Sequence, residues 1–351
     1  MSSFSHNWPA VRGAATALVA AALFGISTPL VQSAGVGLGA LSTASLLYAG
    51  AALVGLWTRR PEHLEARLTR TDLPRLALMA LFGAGVGPVA LAWGLQHTSG
   101  TSASLLLTLE ALFTALLAWL LYRETMDRRV WTAMGLLMAG GLMLVIDQSQ
   151  AGTAQMVGLF AVLGATVSWG IDNTLSRALA DRDPGQVVLG KAVLGATTTG
   201  GLAWWLGEPA PSWGSAAALL AIGGTGYGLS LRFYLLAQRA FGAARTGSVF
   251  AFAPFIGAAM AVALGERGFS MWMVLGSVFM LLGVLVHLAE SHAHEHTHEA
   301  LEHDHAHMHD DGHHDHVHEH MPVGAHSHPH RHCAVTHHHA HAPDLHHSHH
   351  H

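Results

Sequence analysis

Three groups of residues in this sequence could do chemistry. The first is a single carboxylate, Glu110, near the middle of Ser102–Glu124, SASLLLTLEALFTALLAWLLYRE. That run is apolar over about the 20 residues a membrane-crossing helix needs. An acid at the bilayer centre costs about 2.5–3.5 kcal/mol on insertion scales, and such groups face a cavity or a partner. Two roles fit: a carrier that loads and releases a proton or cation, or a structural carboxyl bonded to a neighbouring helix. The second group is Asp172 and Asn173, adjacent polar residues in Ser168–Arg177, SWGIDNTLSR. They would line a polar path or tie two helices together. Arg232 lies within another apolar run. Its stem would reach the interface, or its charge would anchor an anion or pair with Glu110 or Asp172. Trp169 and Tyr227 could wall a cavity, as could Trp93 and Trp119, or these rings belong to packing and to aromatic belts.

The third group is a histidine-loaded tail. Residues 291–351 hold 26 of the chain's 30 histidines, in alternating steps. These are His292, His294, His296 and His298, then His303, His305, His307 and His309, then His313, His314, His316, His318 and His320. Neutral imidazole suits zinc, nickel and cobalt, and interleaved Asp304, Asp310, Asp311, Asp315 and Glu319 add oxygen donors. Many exchangeable ligands without fixed spacing predict a loose site for several divalent ions. Without an apolar core the tail is expected to be disordered when metal-free. His97 and His287 read as interfacial side chains and not as ligands.

The elements that must position these groups follow from composition. The chain has 351 residues, 51% of them hydrophobic and 11% charged, against about 25% charged in an average soluble domain. The tail carries nine Asp/Glu and one Arg, a net −8, so the overall −5 leaves about +3 for residues 1–290, a weakly basic body. An apolar body of this kind belongs in a membrane. Apolar stretches near 13–33, 38–58, 75–95, 99–121, 130–147, 157–178, 187–206, 215–236, 246–264 and 270–289 predict ten helices with short connections. Pro29, Pro88 and Pro254 fall inside them, where each frees a backbone carbonyl. The spacing Gly83-xxx-Gly87 and Gly224-xxx-Gly228 predicts close helix packing. Residues 1–12 are too short and polar for a separate signal peptide, so the first run reads as a retained span. Cys333 is the single cysteine, which leaves the redox compartment unconstrained.

Basic residues orient the spans. Arg59, Arg60, Arg67, Arg70 and Arg75, then Arg123, Arg128 and Arg129, then Arg177, Arg182 and Lys191, then Arg239 and Arg245 all fall on one side of a ten-span thread. The opposite loops hold only Arg267. Both termini are therefore expected on the cytoplasmic side of a cell membrane, inner in a two-membrane cell.

The halves repeat. Gly247–Arg267, GSVFAFAPFIGAAMAVALGER, restates the Glu110 run about 143 residues later, and Phe24-Gly25-Ile26 corresponds to Trp169-Gly170-Ile171. Five spans per half force the second copy to insert upside-down. Such inverted repeats place a binding site between the halves near mid-membrane. The units are 13–148, 157–289 and the tail 290–351. Over about residues 13–288 the chain resembles the EamA family of the drug/metabolite transporter superfamily, on LLLTLEALFTALLAWLLYRE, ARTGSVFAFAPFIGAAMAVALGE and SWGIDNTLSR. Arg232 departs from the usually apolar pattern of its span. The resemblance implies an all-α polytopic fold and secondary transport of amino acids, metabolites, drugs or nucleotide sugars.

Three functions compete. The first is a proton-coupled exporter of a small organic solute, the second a nickel, cobalt or zinc transporter fed by the tail, and the third a membrane-anchored metal buffer. Two acids and no cysteine in the spans favour the organic solute. No P-loop is present, no residue pattern calls for an enzyme, and no basic patch suggests nucleic acid. The expected partners are membrane lipid, a small-molecule solute and metal ions, with assembly as a homodimer left open. No cofactor is required.

Overall fold

The structure is a computed structural model that describes residues 8–61, 65–122, 126–179, 182–241 and 243–288, with four short backbone segments in the tail. Among the described residues the body is all-helical. Helices α1 (Trp8–Ala34) and α2 (Ala40–Thr58) are followed by α3, built from Leu73–Met79, a π-helical turn Ala80–Val86 and Gly87–Leu95. Helix α4 comprises Gly100–Leu106 and Leu109–Tyr122, and α5 is Arg128–Ala151. The second half runs α6 (Thr153–Ser176), α7 (Pro184–Trp205) and α8. Helix α8 is built from Trp213–Ile222, a π-helical Gly223–Leu229 and Ser230–Phe241. Helix α9 comprises Ala243–Phe250 and Ala253–Ala263, and α10 is Met271–Leu288.

Nine of these stretches are apolar and long enough to cross a bilayer. The tenth expected span, 187–206, is present as α7. At 22 residues it has the length, but it carries Lys191 and the polar run Thr197-Thr198-Thr199. Lys191, expected among the loop charges, instead lies two turns inside the helix, 3% exposed.

The repeat is visible in the contacts. Helix α2 packs on α7, and α5 on α10, each beside its own counterpart. The α1–α8 contact is mirrored by α6–α3, and α1–α9 by α6–α4. A pseudo-two-fold axis between the halves requires this pattern. The irregularities repeat too: the π turn at 80–86 recurs at 223–229, and the break at Leu107-Thr108 recurs at Ala251-Phe252. Gly25 and Gly170, matched in the sequence, make equivalent crossings. A Cβ on Gly25 would sit 2.2 Å from the Ala253 carbonyl oxygen, and one on Gly170 would sit 2.8 Å from the Phe113 Cβ. The glycine pairs of α3 and α8, read as packing residues, lie within or directly after the π turns. Pro88, which has no N–H to donate, follows the first of them.

Packing is inverted relative to a soluble protein. Alanines such as Ala17, Ala44, Ala103 and Ala165 fill the interior, while Leu18, Leu53, Leu56, Phe160 and Leu202 face outward. Exposed Trp57 marks one end of the bundle and Trp204, Trp205 and Trp213 the other, as interfacial belts do. Trp93 stacks on His97 with centroids 4.1 Å apart, and Trp119 meets Trp131 edge-on, both pairs away from the interior.

The tail backbone is described for His292–His298, which pairs with Val335–His341, and for Glu302–His307, which pairs with His326–Arg331. Of the expected ligands, His292, His294, His296, His298, His303, His305 and His307 lie on these strands. His309, His313, His314, His316, His318 and His320 lie outside the described residues.

Candidate functional site

The interior charges converge on one cavity. Glu110 opens the second segment of α4, directly after the break at Leu107-Thr108, and Asn173 of α6 donates to its Oε1 through Nδ2. One residue earlier on α6, Asp172 accepts from the Lys191 ammonium of α7 through Oδ2. Asp172 is 4% exposed, and its Oδ1 is buried without a hydrogen-bond partner. Its carboxylate fits because residue 83 has no side chain: a Cβ there would lie 2.3 Å from the carboxylate carbon. The Gly83 carbonyl, within the first π turn, accepts from the Tyr48 hydroxyl and from Trp169 Nε1.

Aromatic rings complete the wall. Phe24 lies 5.4 Å from Trp169, 5.7 Å from Tyr227 and 5.5 Å from Phe250, centroid to centroid. Tyr48 meets Tyr227 at 5.6 Å, and Tyr234 meets Phe250 at 5.0 Å. Five of the six candidates, Glu110, Asp172, Asn173, Trp169 and Tyr227, share this lining. Arg232 does not. Its Nη1 donates to the Thr58 carbonyl at 3.0 Å, at the end of α2. The suggested pairing with Glu110 or Asp172 is not made, because Lys191 and Asn173 occupy those positions. Reasoning from sequence also missed Lys191, Tyr48, Tyr234, Phe24 and Phe250. One signal was available: Lys191 is the only lysine in a chain that otherwise uses arginine for every basic side chain.

The cavity measures about 50 Å³, close to the space of one or two waters. The two halves also meet toward both ends of the bundle. On the side of the basic loops, Arg182 pairs with Asp72 at 3.0 Å and Arg239 with Glu65 at 2.7 Å. On the other side, two second-half carboxylates cap first-half helix starts. Glu208 accepts from the Leu41 and Ser42 amides, and Glu266 from the Gly100 and Thr101 amides. These are favourable sites for a negative charge. A larger hollow of about 340 Å³ lies near that end beside Ser99, Asp147, Gln148 and Gln155. It is open and contains no ion pair among the described residues. The smaller cavity, which holds the interior charges, is therefore the candidate site. No group of three or more metal-ligating side chains occurs among the described residues.

Two inverted five-helix units around one small polar cavity define a membrane transporter by fold and site. The chain belongs to the EamA-like transporter family, whose model matches residues 11–146 and 156–289. It is also 28% identical over 235 residues to an uncharacterized transporter of Methanothermobacter thermautotrophicus. That match covers 63% of this chain and 66% of the relative's length. A solved crystal structure shares the fold with a TM-score of 0.57 at 18% identity, covering 80% of this chain and 96% of that one.

Proposed function

We propose that this transporter exports a small organic solute by alternating access, with Glu110 carrying the coupling proton. The observation behind this reading is the cavity itself. Both halves line it, it holds the half-buried Glu110 of α4 and the buried Asp172 of α6, and contacts between the halves lie toward each end of the bundle. About 50 Å³ admits no solute of metabolite size, since ligand pockets run to about 300–1,000 Å³. Transport therefore requires the halves to part on one side at a time. The π turns of α3 and α8 and the breaks of α4 and α9 are the natural places to bend, because their backbone hydrogen bonding is already irregular.

The test is flux in proteoliposomes loaded with a mixed metabolite extract, with and without a pH gradient. Loss of specific solutes that accelerates when protons can move the opposite way supports the reading. Flux indifferent to the gradient removes the coupling.

The basic loops orient the chain with both termini in the cytoplasm of a cell-membrane protein. A reporter fused at Gln150 should respond outside the cell and one at Pro184 inside. The reverse pattern overturns the orientation.

The tail supplies a metal-binding function or a metal cargo. The isolated peptide 291–351 should take up several equivalents of zinc, nickel or cobalt in calorimetry. Uptake should fade as pH falls through about 6.5, because protons compete for the same imidazole nitrogens. If the cargo is metal, deleting the tail weakens flux most at low metal. If it is organic, basal flux survives the deletion.

A further inference from the structure

We propose that Lys191 sets the charge of the cargo: by neutralising Asp172 it leaves Glu110 as the uncompensated carboxylate of an aromatic-walled cavity, which fits the site to an organic cation with one positive charge. The proposal rests on the reading of this cavity as the solute site.

The described charged groups lining the cavity are Glu110, Asp172 and Lys191. Two carboxylates and one ammonium leave one negative charge. The ammonium is committed to Asp172 and is buried with it on the α6–α7 side. A solute carboxylate entering the cavity would therefore meet the carboxylates of Glu110 and Asp172, both of which line it and both repulsive to it. A solute ammonium would find both attractive. The walls agree. Phe24, Tyr48, Trp169, Tyr227, Tyr234 and Phe250 line the same small volume, and aromatic rings attract cations, most of all when water is excluded.

The choice of lysine is informative. Arginine serves at every other basic position. A planar guanidinium with five donors would span both carboxylate oxygens. The compact ammonium takes Oδ2 and leaves Oδ1 without a hydrogen-bond partner. Gly83 leaves the space in which this carboxylate can sit.

The test varies the net charge of the cavity and reads the charge preference. Radiolabelled phenyltrimethylammonium, p-phenylenebis(trimethylammonium) and phenylalanine provide one charge, two charges and a zwitterion on one ring. Proteoliposomes would carry the wild type, Lys191→Met, Asp172→Asn or the double variant, each checked for folding by size exclusion. The wild type should favour the monocation at least tenfold over the other two. Asp172→Asn, with a neutral cavity, should weaken monocation uptake at least tenfold. Lys191→Met, with two negative charges, should shift the preference toward the dication by a similar factor. The double variant returns to one negative charge and should recover the wild-type order. If a single variant does not fold, the double variant against the wild type decides.

No monocation preference in the wild type, or loss of that order in the double variant, overturns the proposal. Failure of the underlying reading is distinct: vesicles loaded with metabolite extract would then lose no solute at all. Specific loss of extract solutes without any charge preference overturns the role of Lys191 and leaves the transporter reading standing.

Discussion

With glutamine in place of Glu110, the protein should insert and fold while its flux loses all response to a pH gradient. Glutamine has the same length and keeps a carbonyl oxygen where Glu110 accepts from Asn173 Nδ2, so the tie between α4 and α6 survives. What is lost is the ability to hold and release a proton. The titratable groups that share the cavity with it are Asp172, Lys191, Tyr48, Tyr227 and Tyr234. Asp172 is already engaged with Lys191, which leaves Glu110 as the carboxyl free to cycle. The measurement is solute efflux from proteoliposomes at fixed internal pH while external pH is stepped. Gradient-driven flux should fall to that of protein-free vesicles. Wild-type acceleration in Glu110→Gln would assign the carboxyl to structure alone.

Asp172→Ala should be the most damaging single change to stability. It strands the Lys191 ammonium, 3% exposed, without its partner. Breaking a buried pair by removing one member typically costs about 3–5 kcal/mol, because the remaining charge is uncompensated. Replacing both members by neutral side chains of similar volume is often neutral or stabilising. Asp172→Ala should therefore unfold at markedly lower temperature in detergent, and adding Lys191→Met should restore most of the loss. Tryptophan fluorescence is a suitable probe, since Trp169 lies in the same wall. A single variant as stable as the wild type would mean that the pair is not buried as described. A double variant no better than the single would place the damage in lost packing beside Gly83.

The sequence by itself determined the membrane, the helices and the duplication. Apolar runs of about 20 residues have few alternatives in a bilayer. The 143-residue echo of the Glu110 run marked the duplication, while the matching π turns of α3 and α8 carried no signal in the sequence. Glu110, Asp172 and Asn173 stood out for a simple reason: polar groups in apolar spans are costly and therefore conspicuous.

Tertiary structure decided which of them meet. Lys191 counted as a loop charge because it lies only seven residues after Pro184. Helix α7 begins at that proline, with Asp183 as its cap, and carries the ammonium inward to Asp172. Arg232 had the same apparent standing, yet its side chain turns to the end of α2. The aromatic wall was hidden for a different reason. Phe24, Tyr48, Trp169, Tyr227 and Phe250 come from α1, α2, α6, α8 and α9, and an aromatic residue in an apolar span raises no local signal. Only the packing of the two halves, with small residues at the crossings, brings five separate helices around one volume and makes those rings a site.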